Sequence, residues 1–311
     1  MLKVERFGFQ KLIALLALLL SAFNRTMNPY RSFVSSFARL VAEGKSLPLG
    51  NVLPHGKPKP AADAPVALIF SPHPDDECII GALPLRLLRE TGMRIVNVAV
   101  TLGSDRSRRQ PRWQELKQAC DWIGFDLELP APEGLEKIIP ASRAQASQVW
   151  TEAVQIIAAL LALHQPRVIF FPHDHDWHQT HIGTHWLVLD ALKAQAPGFQ
   201  CQLVETEYWA QMASPNLLVE STVDDVADLV AALSFHAGEV QRNPYHLRLP
   251  AWMQDNVRRG AEWLGGQGGV APDFLFATLY RVRQWKNGAA TESFKSIKHM
   301  SAVDSPTELF A

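Results

Sequence analysis

Two short stretches carry residues whose types and spacing suit metal chemistry. The first is Ser71-Pro72-His73-Pro74-Asp75-Asp76-Glu77. A neutral imidazole and a carboxylate are good ligands for zinc, and His73 and Asp76 on one tight turn can reach a common ion. Asp75 sets a second carboxylate beside them. Two adjacent acids can divide the work, one holding metal while the other takes a proton from water whose pKa the metal lowers to about 7. The second stretch is Pro172-His173-Asp174-His175-Asp176-Trp177-His178-Gln179-Thr180-His181, with His185 beyond it. It holds five of the chain's 11 histidines, a crowding better explained by a site that needs imidazoles than by isolated surface or core positions.

The elements around these stretches determine whether they can meet. Val66 to Ser71 is a short apolar run ending in a turn, as a buried parallel strand should be. Ile79 to Glu90 reads as a helix with Pro84 as a kink point, Arg94 to Thr101 as a strand and Arg112 to Ile123 as a helix. Asp126 to Leu129 follows as a short strand and Ala144 to Leu163 as a long helix. Val168 to Phe171 is a strand, His181 to Lys193 a helix and Gln202 to Tyr208 a fifth strand. This alternation predicts an α/β fold, a doubly wound, mainly parallel, Rossmann-like sheet flanked by helices. With strands in the order 3-2-1-4-5, the first and fourth are neighbours, and both histidine stretches open into one crevice at their C-terminal ends. The first strand leads into His-Pro-Asp-Asp instead of a Gly-x-Gly-x-x-Gly turn, which argues against a dinucleotide-binding oxidoreductase.

Composition bounds the alternatives. The chain has 311 residues, 47% of them hydrophobic and 20% charged, an ordinary globular composition outside the disordered class. Thirty basic residues against 31 acidic ones give a net charge of -1, so no overall field draws the chain to nucleic acid. Cys78, Cys120 and Cys201 are too few and too scattered for a disulfide framework or a cysteine-ligated zinc, and they fit a reducing, cytoplasmic setting.

Residues 1–61 read as an N-terminal extension and residues 62–311 as the catalytic domain. Lys3, Arg6 and Lys11 precede an apolar run from Leu12 to Leu20, continued by Ser21, Ala22 and Phe23. The run is short for a membrane span and has the form of a signal-peptide core, but a poor cleavage site follows it. Two readings stay open: an uncleaved helix, docked or membrane-associated through residues 12–23, and a processed signal or anchor. Asn28-Pro29 then resembles a helix start, with Tyr30, Phe33, Val34, Phe37, Leu40 and Val41 on one face of an expected amphipathic helix. Pro48, Pro54, Pro58 and Pro60, interleaved with Gly50 and Gly56, read as a linker that ends near Ala62.

On these residues the sequence resembles the PIG-L/LmbE-like de-N-acetylase family, whose first motif is His-Pro-Asp-Asp-Glu and whose second ends in His-x-Asp-His. His73 to Glu77 match the first throughout. Thr101-Leu102-Gly103, Arg112, Glu115, Ala119 and Ile123-Gly124 follow the family's helix spacing, and Pro132-Glu133-Gly134 takes the place of its Pro-Asp-Gly. Ala232-Leu233-Ser234-Phe235-His236 resembles its Ala-Leu-x-x-His, although Gly238-Glu239 replaces the usual Ser-Gln. The similarity covers roughly Val66 to Tyr280.

The resemblance implies zinc, or alternatively iron(II), held by His73, Asp76 and His181. It implies Asp75 as general base and a protonated His178 as the stabiliser of the oxyanion or acid. Arg112 and Glu133 are implied at the substrate, with an ordinary surface-charge role the alternative for each. The implied reaction is removal of the acetyl group from an N-acetylglucosamine-type conjugate, small molecule or glycoconjugate, giving acetate and an amino sugar. Thr180 stands where the family has Asp, which puts a supporting hydrogen bond in question. Two rival readings are a catalytically silent sugar-binding module on the same fold and a zinc amidase acting on another amide. His173, His175 and His185 are expected to be structural or to support the ligands. Trp177, Trp186, Tyr208 and Trp209 suit either the core or a sugar-stacking face.

Overall fold

The computed structural model describes residues 28–53 and 60–310. The apolar run Leu12 to Leu20 lies outside them. The chain divides into two compact units, 1–47 and 48–311. In the first, the described element is α1 (Arg31–Gly44), the expected amphipathic helix, of which only Gly44 is buried. In the second, residues before the expected boundary near Ala62 already belong to the domain. Leu49 and Val52 pack against its core, the Gly50 N–H donates to Ser234 Oγ at 3.2 Å, and Trp122 Nε1 donates to the Leu53 carbonyl at 3.2 Å.

The second unit is built on one sheet. Strands β1 (Val66–Ser71), β2 (Arg94–Ala99), β3 (Asp126–Glu128), β4 (Val168–Pro172) and β5 (Cys201–Thr206) lie parallel in the order β3-β2-β1-β4-β5. The expected order is therefore the observed one. β1 is buried along its whole length. Ala67 and Ile69 face one apolar core, and Val66, Leu68 and Phe70 face the other. A strand buried on both faces must be apolar throughout, which is why this run was legible. Helices α2 (Leu83–Thr91), α3 (Arg106–Ile123) and α7 (Val223–Ser234) cover the first face, and α5 (Gln148–His164) with α6 (Gln179–Lys193) the second.

The sheet continues past β5 through antiparallel β7 (Phe276–Lys286). Beyond β7 come β6 (Leu217–Ser221) and β9 (Lys298–Met300), and β8 (Ala289–Glu292) forms a hairpin with β7. Nine strands thus make a mixed sheet whose parallel half carries both histidine stretches. The remaining α-helices among the described residues are α4 (Pro140–Ala144), α8 (Ala237–Val240) and α9 (Leu249–Gly265). No helix among the described residues is long and apolar enough to cross a membrane.

Three helices depart from the expected bounds. α2 begins at Leu83, not at Ile79, and Pro84 sits in its first turn, where a missing N–H costs nothing, instead of at a kink. α3 begins at Arg106, not at Arg112, because Asp105 caps it by accepting the Ser107 N–H, and Pro111 is tolerated inside. The extra turns bring Arg106, Arg108 and Arg109 to the crevice. The long helix expected over Ala144 to Leu163 is α5, which begins later, at Gln148, while the separate short helix α4 ends at Ala144. Ala146 has a φ of 45°, and the Ser147 side chain accepts the Trp150 N–H to start α5 afresh.

Candidate active site

β1 and β4 are adjacent while their crossovers run to opposite sides, so the ends of these strands form the topological switch point where open sheets bind ligands. After β1 the chain enters a turn in which Asp75 takes a φ of 109°, a strained value for a residue with a side chain. Hydrogen bonds hold it there. Asp75 N–H donates to Glu77 Oε2 at 3.0 Å, and His73 N–H donates to Asp76 Oδ2 at 2.8 Å. Glu77 is fully buried, with His236 Nε2 2.7 Å from its Oε1 and Cys78 Sγ donating to the same oxygen at 3.1 Å. Burial disfavours both charges, but each partner outweighs it: the Glu77 pKa falls and the His236 pKa rises. His236 is thus a strut of the Asp75 turn. Glu77, Cys78 and His236 are a second cluster of metal-binding types, but their hydrogen bonds to one another already close it.

After β4, Asp176 organises the loop. Its Oδ1 accepts the His178 N–H at 2.9 Å and its Oδ2 the Trp209 N–H at 3.1 Å. His178 is the N-cap of α6, where its Nδ1 accepts the Thr180 N–H at 3.2 Å. His181 follows in the first turn, fully buried. Its Nδ1 faces Asp176 Oδ1 at 3.6 Å and has no hydrogen-bond partner among the described residues.

Three donor atoms converge. His73 Nδ1 lies 3.2 Å from His181 Nε2 and 3.5 Å from Asp76 Oδ2, and His181 Nε2 lies 3.4 Å from Asp76 Oδ2. Ligands about 2.0–2.1 Å from a tetrahedral zinc stand about 3.3–3.4 Å apart, so the triangle has the size such an ion requires. The His178 ring also reaches this cluster. Burial lowers the His73 pKa to about 3, and the neighbouring His181 adds to the effect, so the imidazole is in its ligand form. Asp76 is raised to about 6 by burial, and Asp75 to about 6 by burial and then by the charge of Asp76. Two buried acids side by side favour a cation between them and the imidazoles.

The expected charge on His178 is corrected by its surroundings. Burial, and then the neighbouring His73 and His181, lower its pKa, and its Nδ1 is committed as an acceptor. The neutral ring therefore carries its proton on Nε2. His173, His175 and His185 stay outside the donor triangle. The His173 ring bonds the Ala210 carbonyl at 3.0 Å, and His185 Nδ1 the Pro172 carbonyl at 2.9 Å. His175 pairs with Asp174 at the surface.

The donor triangle opens into a cavity of about 720 Å³ whose walls include residues 101–106, residues 135–139, Trp209 and Glu239. Arg112 lines it, donates to the Pro74 carbonyl at 2.9 Å and lies 3.9 Å from Asp75 Oδ1. Glu133 does not line it. Its side chain is 70% exposed and pairs with Arg109, while Glu136 faces the cavity. Of the four aromatics considered, Trp209 reaches the cavity, whereas Tyr208 packs on His181, Trp186 on His185, and Trp177 points to solvent.

Asp176, Tyr245 and His236 have places in the site that were not assigned from sequence, His236 appearing only in a stretch that resembles the family. Asp176 lies in the second histidine stretch, five positions before His181, and its acid type was the available signal. Tyr245, whose hydroxyl donates to Asp75 Oδ2 and whose ring meets Trp209 edge-on, lies 170 residues from Asp75 in a 3₁₀ turn with no motif.

Residues 68–192 match the PIG-L family, GlcNAc-PI de-N-acetylase, a span that contains both histidine stretches, and the chain carries a domain of that family there. Among solved structures, N,N'-diacetylchitobiose deacetylase from Pyrococcus horikoshii aligns with a TM-score of 0.52 over 82% of this chain and 93% of its own, at 18% identity. A conserved protein from Thermus thermophilus aligns at 0.50 over 70% and 93%, with 19% identity. The 4-carboxy-2-hydroxymuconate hydratase GalB from Pseudomonas putida aligns at 0.50 over 70% and 95%, with 17% identity. These likenesses establish the shared fold, and a hydratase among them means that the residues of the site must carry the argument for a reaction. No curated protein matches the chain significantly.

Proposed function

We propose that this PIG-L domain is a metal-dependent hydrolase that removes the acetyl group from an N-acetylglucosamine-type conjugate, releasing acetate and an amino sugar. The observation that carries the reading is the triangle of His73, Asp76 and His181 donors, of tetrahedral size, with the unligated carboxylate of Asp75 beside it at the mouth of an open cavity. A divalent ion held there would polarise the amide carbonyl and acidify water. Two imidazoles and a carboxylate suit zinc, and iron(II) accepts the same set.

The protein's own groups supply the proton traffic. Asp75 takes the proton of the attacking water and passes it to the departing amine. Tyr245 and Arg112 hold its carboxylate in place from two sides, and the Glu77–His236 pair holds its backbone. His178, neutral and protonated on Nε2, donates a hydrogen bond toward the oxygen on which negative charge develops. Arg112 and Trp209 offer a charged and an aromatic surface to the sugar conjugate. A buried base held by Tyr245 and Arg112 favours chemistry over a silent binding module.

The test is acetate release from a panel of N-acetylglucosamine conjugates by the purified protein, with bound metal quantified and His181→Ala in parallel. Release that requires both metal and His181 is expected. Stoichiometric metal with no release across the panel would replace this reading with the binding module, and release from other amides alone with the amidase.

A further inference from the structure

α1 exposes what a helix in water normally hides. Tyr30, Phe33, Val34, Phe37 and Leu40 are 71, 68, 61, 45 and 63% exposed. At 100° per residue, these five and Val41 fall within a stripe about 120° wide. Ser32, Ser35, Arg39 and Glu43 occupy the opposite side. A contiguous apolar face on an otherwise polar helix marks an interaction site.

Charge selects the partner. The first 47 residues contain Lys3, Arg6, Lys11, Arg25, Arg31, Arg39 and Lys45 against only Glu5 and Glu43, a strongly basic segment in a chain whose net charge is -1. Such asymmetry, combined with an apolar helix face, fits a surface that is both anionic and apolar, which is a bilayer rich in anionic lipid. The apolar run Leu12 to Leu20 precedes the helix in the same basic segment. A second copy fits less well. Fourteen residues give a strip roughly 21 Å long and 10 Å wide, far short of the about 800 Å² that each partner buries in a stable interface.

We propose that α1 is an interfacial helix that lays its Tyr30–Phe33–Phe37–Leu40 face into the surface of an anionic lipid bilayer. Arg31 and Arg39, toward the polar side, can reach the headgroups. The attachment is independent of the chemistry at the metal-ligand triangle and stands whether or not that reading does.

The experiment is flotation of the full chain with phosphatidylcholine vesicles, with and without phosphatidylglycerol. Co-flotation with the anionic vesicles is expected, weakening as salt rises. It should fall at least about tenfold in the Phe33→Ser, Phe37→Ser variant and be unchanged in Ser32→Ala, Ser35→Ala. Because Cys78, Cys120 and Cys201 are buried, a polarity-sensitive dye on Phe37→Cys or Ser35→Cys gives a second reading that needs no loss of binding. The dye should blue-shift on anionic vesicles at position 37 and not at 35. The proposal is overturned by absence of flotation, by equal flotation of the phenylalanine variant, or by equal dye shifts. It is equally overturned if the chain is a dimer that the phenylalanine variant dissociates without any dependence on vesicles.

Discussion

Asp176 and His181 face each other across the first turn of α6, both fully buried, with the carboxylate oxygen 3.6 Å from the one imidazole nitrogen that lacks another partner. Burial works against the charge of Asp176, yet its contacts with His181 and the two backbone N–H groups lower its pKa to about 2. A carboxylate at that place would keep the His181 proton on Nδ1 and leave Nε2 free to bind the proposed metal. The support that Thr180 cannot give from the family's position reaches His181 from Asp176. Asp176→Asn is therefore expected to weaken zinc binding by about 10–100-fold, measured by competition with a chelating dye. Thr180→Val should leave the affinity unchanged, and an Asp176→Asn protein of wild-type affinity would show that the contact does not orient the ligand.

The base and its holder should separate by kinetics. Asp75→Asn is expected to keep its metal and to lose roughly 10²–10⁴-fold in kcat. Tyr245→Phe removes one hydrogen bond to the Asp75 carboxylate and should cost roughly tenfold in kcat, with KM little changed. Steady-state rates on the best substrate check both, and an unaltered kcat in Tyr245→Phe would remove Tyr245 from the site.

A pH-dependent stability term is expected away from the site. Arg143 donates to Asp190 at 2.7 and 3.0 Å, and Trp150 Nε1 donates to it at 3.3 Å. Burial alone would raise the Asp190 pKa, but the Arg143 contacts prevail and lower it. A carboxyl with a depressed folded pKa contributes stability above its ordinary range and loses it as pH falls through the folded value. Asp190→Asn should therefore destabilise by about 1–2 kcal/mol near neutral pH, toward the low end because Arg143 is one-third exposed. The difference from wild type should shrink below the ordinary carboxyl pKa of 3.8, as denaturant melts at several pH values will report.

Gly183 lets α6 touch the cavity wall. A Cβ there would lie 2.1 Å from the Ile138 carbonyl oxygen and 2.4 Å from its carbon, backbone atoms that cannot turn aside. Gly183→Ala should lower stability by roughly 1–3 kcal/mol and raise KM, because residues 135–139 line the cavity. Thermal melts and steady-state kinetics, with Gln179→Ala on the same helix as control, check it.

Much of the parallel half was legible because burial on both faces demands unbroken apolar runs, and β1 and β4 are such runs, each leading to a proline at the end of the strand. Helix limits were less so. α3 was expected from Arg112, whereas the Asp105 cap begins it earlier, and the left-handed backbone at Ala146 between α4 and α5 has no glycine to announce it. Glu133 occupied the right place in a motif, yet its side chain is largely exposed, paired with Arg109, and does not line the cavity.

By itself the sequence determined the two histidine stretches, with His73 and Asp76 on one turn, and the interior position of the apolar β1 and β4; the choice of His181 came from the family resemblance, and a shared crevice from the common strand order. Only the tertiary structure decided which atoms support them. Tyr245 at Asp75, His236 at Glu77 and Asp176 opposite His181 depend on contacts closer than about 4 Å between segments whose approach is set by packing, and local periodicity carries no record of that distance.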